Sequence, residues 1–385
     1  MRWASAVSAH ADLDAAATEV AARIEHASVG GTPDLLIAFV SSHHAGGYAT
    51  LPALLRRRLP ARLLLGCSAG GVIGGGHEVE QAPGLSVTAA WLPGVELTPF
   101  RLESGDPLDL RPLAPGDPAL APCFLVLADP FSFDPEPLVR ALDRAFDGSR
   151  TIGGLASGGR QPGENALYLG DAVHRAGLVG IALVGNVAMD TIVAQGCRPI
   201  GEPMFVTRCD RNLLQELDGH RPGAVLQQLY ERSDARDQAL FRGSLFVGIV
   251  MREHQHEYRQ GDFLIRNVVG MEPKTGALAV GALLREGMVV QFHLRDAATS
   301  AADLDELLGR HRTAAPAPRG SLLFSCLGRG VHLYGRPDHD TGLFRRHLGD
   351  VPLGGFFCNG EIGPVQGTTF LHGYTSAFGL FRPRQ

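Results

Sequence analysis

Gly66-Cys67-Ser68-Ala69-Gly70 spells G-x-S-x-G, the pattern in which a sharp strand-to-helix turn presents a serine hydroxyl beside backbone amides. The next residues, Gly71 to Gly76, hold four glycines in six positions and cannot start a stable helix. A turn that supports structure or cradles a ligand is therefore favoured over a nucleophile at Ser68. Cys67 lies in this turn, and Cys358 lies in a similar one beside Asn359, where backbone N–H groups would lower a thiol pKa. Both thiols equally suit small hydrophobes buried next to a strand, and Cys326, which closes an apolar run, reads as core.

His254-Gln255-His256 would set two imidazoles on one face of a strand, and His43-His44 offers another pair. No third ligand stands at matching spacing, so loop histidines are favoured and no metal is expected. Gly74-Gly75-Gly76 lacks the spacing of a dinucleotide turn, and no G-K-[S/T] occurs, so no nucleotide cofactor is expected either. Arg266, Arg295 and Arg329 each follow an apolar run, where a guanidinium needs a carboxylate partner. Glu361 and Glu78 are the internal candidates. Otherwise these arginines would face the carboxylate of a bound ligand.

The elements that must position these residues follow from hydrophobic periodicity. Residues 11–27, 48–59, 135–146, 222–232, 303–310 and 341–348 read as helices. Continuous apolar runs at 35–40, 63–65, 123–128, 178–184 and 322–326 read as buried strands. Residues 85–91 and 95–102 form two more, joined by Pro93-Gly94. Three strand-to-glycine turns share the same preceding strand and helix: LLLGCSAGG from Leu63, TIGGLASGG from Thr151 and PLGGFFCNG from Pro352. Aligned, they set Gly66, Gly154 and Gly355 in one column and point to internal duplication.

The chain has 385 residues, 45% hydrophobic and 19% charged, which suits two domains with large cores. A net charge of −5, with Lys274 as the only lysine, gives no electrostatic footprint for nucleic acid. No run approaches the ~18 apolar residues of a membrane span. Six scattered cysteines without a C-x-x-C pair read as reduced thiols, hence a cytoplasmic protein.

The motifs together resemble the FIST family, named for F-box and intracellular signal transduction proteins. Leu65 to Ile73 followed by His77-Glu78 looks like its N-terminal signature, and Gly196 to Gly201 is similar to the segment that closes that half. Phe324-Ser325-Cys326-Leu327-Gly328-Arg329-Gly330 and the block Gly354 to Gly363 match its C-terminal pattern. Arg266 to Gly270 and Arg295-Asp296 fit places where the family carries arginine. The expected architecture is α/β: two related domains, 1–208 and 209–385, with mixed sheets flanked by helices. Their glycine turns would face one interdomain cleft. The resemblance implies a non-enzymatic sensory protein that binds a small carboxylate-bearing metabolite such as an amino acid and signals through a separate protein partner. The rivals are an interaction scaffold without a small ligand, and a Cys or Ser hydrolase working from the turns.

Overall fold

The computed structural model describes the whole chain except residues 28–29, 114–119, 254, 256 and 385. The HxH pair therefore lies outside the described residues. The chain opens with β1 (Arg2–Ser8), α1 (Leu13–Ala27), β2 (Leu35–Ser41), α2 (Leu51–Arg58) and β3 (Leu63–Ala69). A hairpin of β4 (Gly71–Gly74) and β5 (His77–Glu80) follows, then β6 (Leu85–Trp91). The order recurs as β7 (Val95–Leu102), β8 (Cys123–Ala128), α3 (Glu136–Ala145), β9 (Arg150–Leu155), the hairpin β10 (Leu167–Leu169) and β11 (Ala172–His174), and β12 (Leu178–Gly185).

A third round starts with β13 (Ala188–Gln195) but is interrupted by β14 (Cys197–Asp210), β15 (Leu213–Leu217), α4 (Pro222–Arg232) and α5 (Ala235–Phe241). The interruption continues through β16 (Leu245–Val250), β17 (Phe263–Met271), β18 (Leu278–Val280) and β19 (Val289–Arg295). The round resumes with α6 (Ala297–Ala314), β20 (Gly320–Cys326), α7 (Val331–Tyr334), α8 (His339–Leu348) and β21 (Leu353–Cys358). It ends with β22 (Glu361–Val365), β23 (Thr368–His372) and β24 (Thr375–Arg382).

Two compact units result: residues 1–193, 305–371 and 375–385 form the first, and residues 194–304 with 372–374 the second. The second is a closed barrel in the order β14-β15-β18-β17-β16-β19, filled by Val206, Leu214, Val247, Leu278 and Phe292. The break expected between residues 208 and 209 falls inside β14, a strand of this barrel.

The first unit holds three six-stranded sheets, β1-β6-β2-β3-β10-β11, β7-β12-β8-β9-β22-β23 and β13-β24-β20-β21-β4-β5. Each has a parallel centre joined through a helix: β2 with β3, β8 with β9, β20 with β21. An antiparallel strand flanks it on one side: β6, β12 or β24. On the other side the sheet is completed by a hairpin from another round. β10 pairs with β3, β22 with β9 and β4 with β21. Each round thus lends its hairpin to a neighbour, which covers an edge whose backbone would otherwise stay unpaired. The expected duplication is present as three interlocked rounds.

Side-chain alternation explains why the strands read as continuous apolar runs. Leu35, Ile37 and Phe39 of β2 enter a core shared by all three sheets, while Leu36, Ala38 and Val40 pack under α1 and α2. On β8 the split is Cys123, Leu125 and Leu127 against Phe124, Val126 and Ala128, the latter under α3.

The glycines expected to form turns lie instead within strands β3, β9 and β21, and they have a common geometric cause. A Cβ on Gly66, Gly153 or Gly355 would lie 2.1, 1.8 or 1.9 Å from the carbonyl oxygen of Ala38, Val126 or Leu323, its partner on the neighbouring parallel strand. The equivalent glycine of the second round is therefore Gly153, one residue before the Gly154 chosen by aligning motifs.

Candidate functional site

All three glycine segments belong to the first unit, which corrects the expectation that they line a cleft between two domains. The strands β3, β9 and β21 end around a ring of hydrogen bonds. Ser157 N donates to Ser68 O and Asn359 N to Leu155 O, both at 3.2 Å. The third link is relayed by a side chain: Gly70 N donates to Ser157 Oγ at 2.8 Å, and that hydroxyl donates to Phe357 O at 2.5 Å. Asn359 adds a bond from Nδ2 to Ala156 O at 3.2 Å.

The nucleophile candidates are absorbed into structure. Ser68 is buried; its hydroxyl donates to Asn165 Oδ1 and accepts from Ala166 N, each at 3.1 Å. A strand, β4, follows it instead of a helix, so the elbow geometry is absent. Burial pushes the Cys67 thiol well up, and Cys67 points into the shared core. Burial, with Glu361 adding to it, does the same to Cys358.

Polar groups converge instead at the carboxyl end of β20 and β21, the usual place for a ligand site beside parallel strands. Arg329, in the loop after β20, is only 1% exposed and binds Asp340 through Nε at 2.9 Å and Nη2 at 3.0 Å. Asp340 also accepts from Ser325 Oγ at 3.3 Å and from Ser376 Oγ at 2.5 Å, and meets His339 Nδ1 at 2.9 Å. Burial alone would raise this carboxyl, but Arg329, His339 and Ser376 outweigh it and hold Asp340 well below the usual range. Tyr334 stacks on His339, centroids 3.4 Å apart, and lies 5.5 Å from the Arg329 guanidinium.

The two carboxylates proposed as arginine partners do other work. Glu78 Oε1 accepts from Thr341 N at 2.9 Å, in the first turn of α8, while its Oε2 is buried without a partner. Burial, then the charge of Asp340, raises its pKa. Glu361 accepts from Thr375 N and Oγ1 at 3.0 and 2.8 Å, and Cys358 Sγ donates to its other oxygen at 3.4 Å. Burial raises Glu361 to about 7, against the opposing Thr375 hydrogen bonds. Arg266 and Arg295 belong to the barrel unit. Arg266 Nη1 donates to Ile265 O at 3.0 Å, and Arg295 lies 5.6 Å over the Tyr374 ring with its Nε buried and unbonded.

Near the Arg329–Asp340 pair lies a shallow pocket of about 410 Å³, open to solvent. Its polar wall consists of Glu80, Gln81 and His332, and backbone of Gly70, Gly71 and Gly328 approaches it closely; Leu327 and Phe357 supply the apolar surface. Glu80 Oε1 accepts from Val331 N at 2.9 Å, which fixes its carboxylate at the pocket wall, and burial raises its pKa. Asp340, His339 and Ser376 escaped sequence reasoning because charged and polar residues at the start of a helix or strand look solvated. Asp338-His339-Asp340-Thr341 was the available signal, since a helix beginning there must place its first turn somewhere.

Fold and site together define an α/β protein with a pocket and a buried ion pair at the carboxyl ends of parallel strands. The chain belongs to the FIST family: the FIST N domain model matches residues 34–220 and the FIST C domain model residues 223–364. FIST domains are generally described as sensory and signal-transduction domains. An uncharacterized Mycobacterium tuberculosis protein is 39% identical over 99% of this chain and 100% of its own length. An uncharacterized Mycobacterium bovis protein is 35% identical over 99% of each. An F-box/LRR-repeat protein of Arabidopsis thaliana is 23% identical over 68% of this chain and 58% of its own length. Among the described residues no helix is long and apolar enough to cross a membrane.

Proposed function

We propose that this chain is a non-catalytic, cytoplasmic sensory protein that binds a small metabolite of the amino-acid class and signals through a separate protein partner. The observation that carries the reading is the pocket of about 410 Å³ near the Arg329–Asp340 pair. Its size lies within the roughly 300–1,000 Å³ of small-molecule sites. Glycine backbone at Gly70, Gly71 and Gly328 lets a small ligand approach the main chain. Glu80 carries the carboxyl group on the pocket wall, and we assign it to the ammonium group of an amino acid, whose charge would favour its ionised form. Arg329 is engaged by Asp340, so the reading does not rest on it as a ligand contact. Burial of Ser68, Cys67 and Cys358 favours binding over covalent catalysis. The six cysteines, none in a disulfide, suit a reducing compartment.

A thermal-shift screen of amino acids and organic acids on the full chain tests this. A ligand at a hundredfold excess over its Kd adds about 2.7 kcal/mol of stability. Glu80→Gln should weaken amine-bearing ligands roughly tenfold or more, the worth of one charge-assisted bond. No shift with any compound, together with a protein partner that binds regardless of additives, overturns the reading in favour of a scaffold.

A further inference from the structure

We propose that Cys326 and Cys358 form a reversible disulfide, in which Cys326 is oxidised by a peroxide and Cys358 resolves the product. The two residues are direct partners on the parallel strands β20 and β21, so their side chains leave the same face of the sheet. Neighbouring strands run about 4.7–4.9 Å apart, inside the roughly 4.4–6.8 Å separation of Cα atoms in disulfides. Each cysteine is the last residue of its strand, with Gly328 and Gly360 close behind to absorb the adjustment.

Their surroundings divide the labour. Cys326 is half-buried, and its Sγ accepts the Gly328 N–H at 3.4 Å. The Arg329 guanidinium is near enough to act on its charge. The Gly328 N–H is a donor that a Cys326 thiolate would retain. Cys358 is buried beyond direct attack, and its single S–H has two acceptors in reach, Ser325 O at 3.3 Å and Glu361 Oε1 at 3.4 Å. A carboxyl in contact with the resolving thiol gives its proton a place to go.

The chemistry balances with hydrogen peroxide as oxidant. The Cys326 thiolate attacks one peroxide oxygen, the O–O bond breaks, and the leaving hydroxide takes up a proton as water. Cys326 is now a sulfenic acid. Cys358 passes its proton to Glu361 and attacks the Cys326 sulfur. The S–O bond breaks, and hydroxide leaves as water with the proton from Glu361. Two thiols have lost two hydrogens, and one peroxide has become two waters. Disulfides of this kind in reducing compartments are transient and serve sensing.

The test uses the full chain treated with hydrogen peroxide, quenched with N-ethylmaleimide and digested without reductant. Mass spectrometry should find Cys326 and Cys358 joined, reversibly by dithiothreitol, and Cys326 consumed roughly tenfold faster than half-buried Cys209. Cys358→Ser should stop at a sulfenic acid on Cys326, trapped by dimedone, and Cys326→Ser should leave Cys358 a thiol. Glu361→Gln, which keeps the side-chain shape, should slow the second step roughly tenfold and raise dimedone trapping at Cys326. The proposal is overturned by persistence of both thiols, by a bond from Cys326 to any other cysteine, or by oxidation spread evenly over the six cysteines.

Discussion

Arg329 grips Asp340 through two parallel hydrogen bonds, Nε to Oδ2 at 2.9 Å and Nη2 to Oδ1 at 3.0 Å, with both side chains buried. Removing either partner takes away the main counter-charge of the other, which stays buried. Arg329→Met or Asp340→Asn should each cost about 3–5 kcal/mol in urea unfolding. The double variant Arg329→Met/Asp340→Leu should cost less than the sum of the two. Strict additivity would mean that the pair is energetically independent, contrary to its geometry.

Glu361 gives the fold a pH dependence of known sign. Its carboxyl ionises near 4.5 when unfolded and near 7 when folded. Between those values the folded chain keeps a proton that the unfolded chain has released, so stability declines as pH rises through the window. The full shift corresponds to roughly 3 kcal/mol. Glu361→Gln should reduce the fall in urea midpoint between pH 5 and pH 8, while below about pH 4.5 the titration of Glu361 makes no difference. An unchanged fall in the variant would show that Glu361 titrates normally.

Gly66, Gly153 and Gly355 should behave as one class. Alanine at any of them brings Cβ to within 2.1 Å of a carbonyl on the adjacent strand, in a direction where backbone must move. Each substitution should cost at least the roughly 1–3 kcal/mol of overpacking, read as a lowered Tm. Gly163 and Gly170 meet no atom within 4 Å but carry positive φ, so alanine there reports backbone strain alone and should be milder.

Ser157→Ala should open the ring of strand ends. The Gly70 N–H and the Phe357 carbonyl would lose the hydroxyl that joins them, a cost of about 1–3 kcal/mol for buried groups left unpaired. Hydrogen exchange at Gly70 should accelerate before the global Tm changes. Unaltered protection there would assign the relay to another donor.

Alkylation of the native chain should separate the cysteines by burial. Cys67, Cys123, Cys197 and Cys358 are buried and should react with iodoacetamide only after unfolding, whereas Cys209 and Cys326 should react in the native state. Rapid native labelling of Cys67 would instead indicate an activated thiol and revive the hydrolase reading.

Many of the helices and buried strands, and the family, were legible in the sequence because apolar runs act over a few residues; the expected glycine turns proved to be strand interiors in β3, β9 and β21. Leu35 to Val40 read as a buried strand, but that Gly66 must be small followed only from the Ala38 carbonyl on the neighbouring strand. The sequence did not disclose β1 or β13, whose partners β6 and β24 lie far along the chain. Nor did it disclose that each hairpin completes another round's sheet, since edge pairing depends on which backbone is left open after the centre forms. The partner of Arg329 was decided the same way. Glu361 and Glu78 were the visible carboxylates, but tertiary structure turned Asp340 toward the guanidinium and left Glu361 on Thr375 and Cys358. A buried charge takes the carboxylate that folding brings within hydrogen-bond reach, and sequence spacing carries no record of that distance.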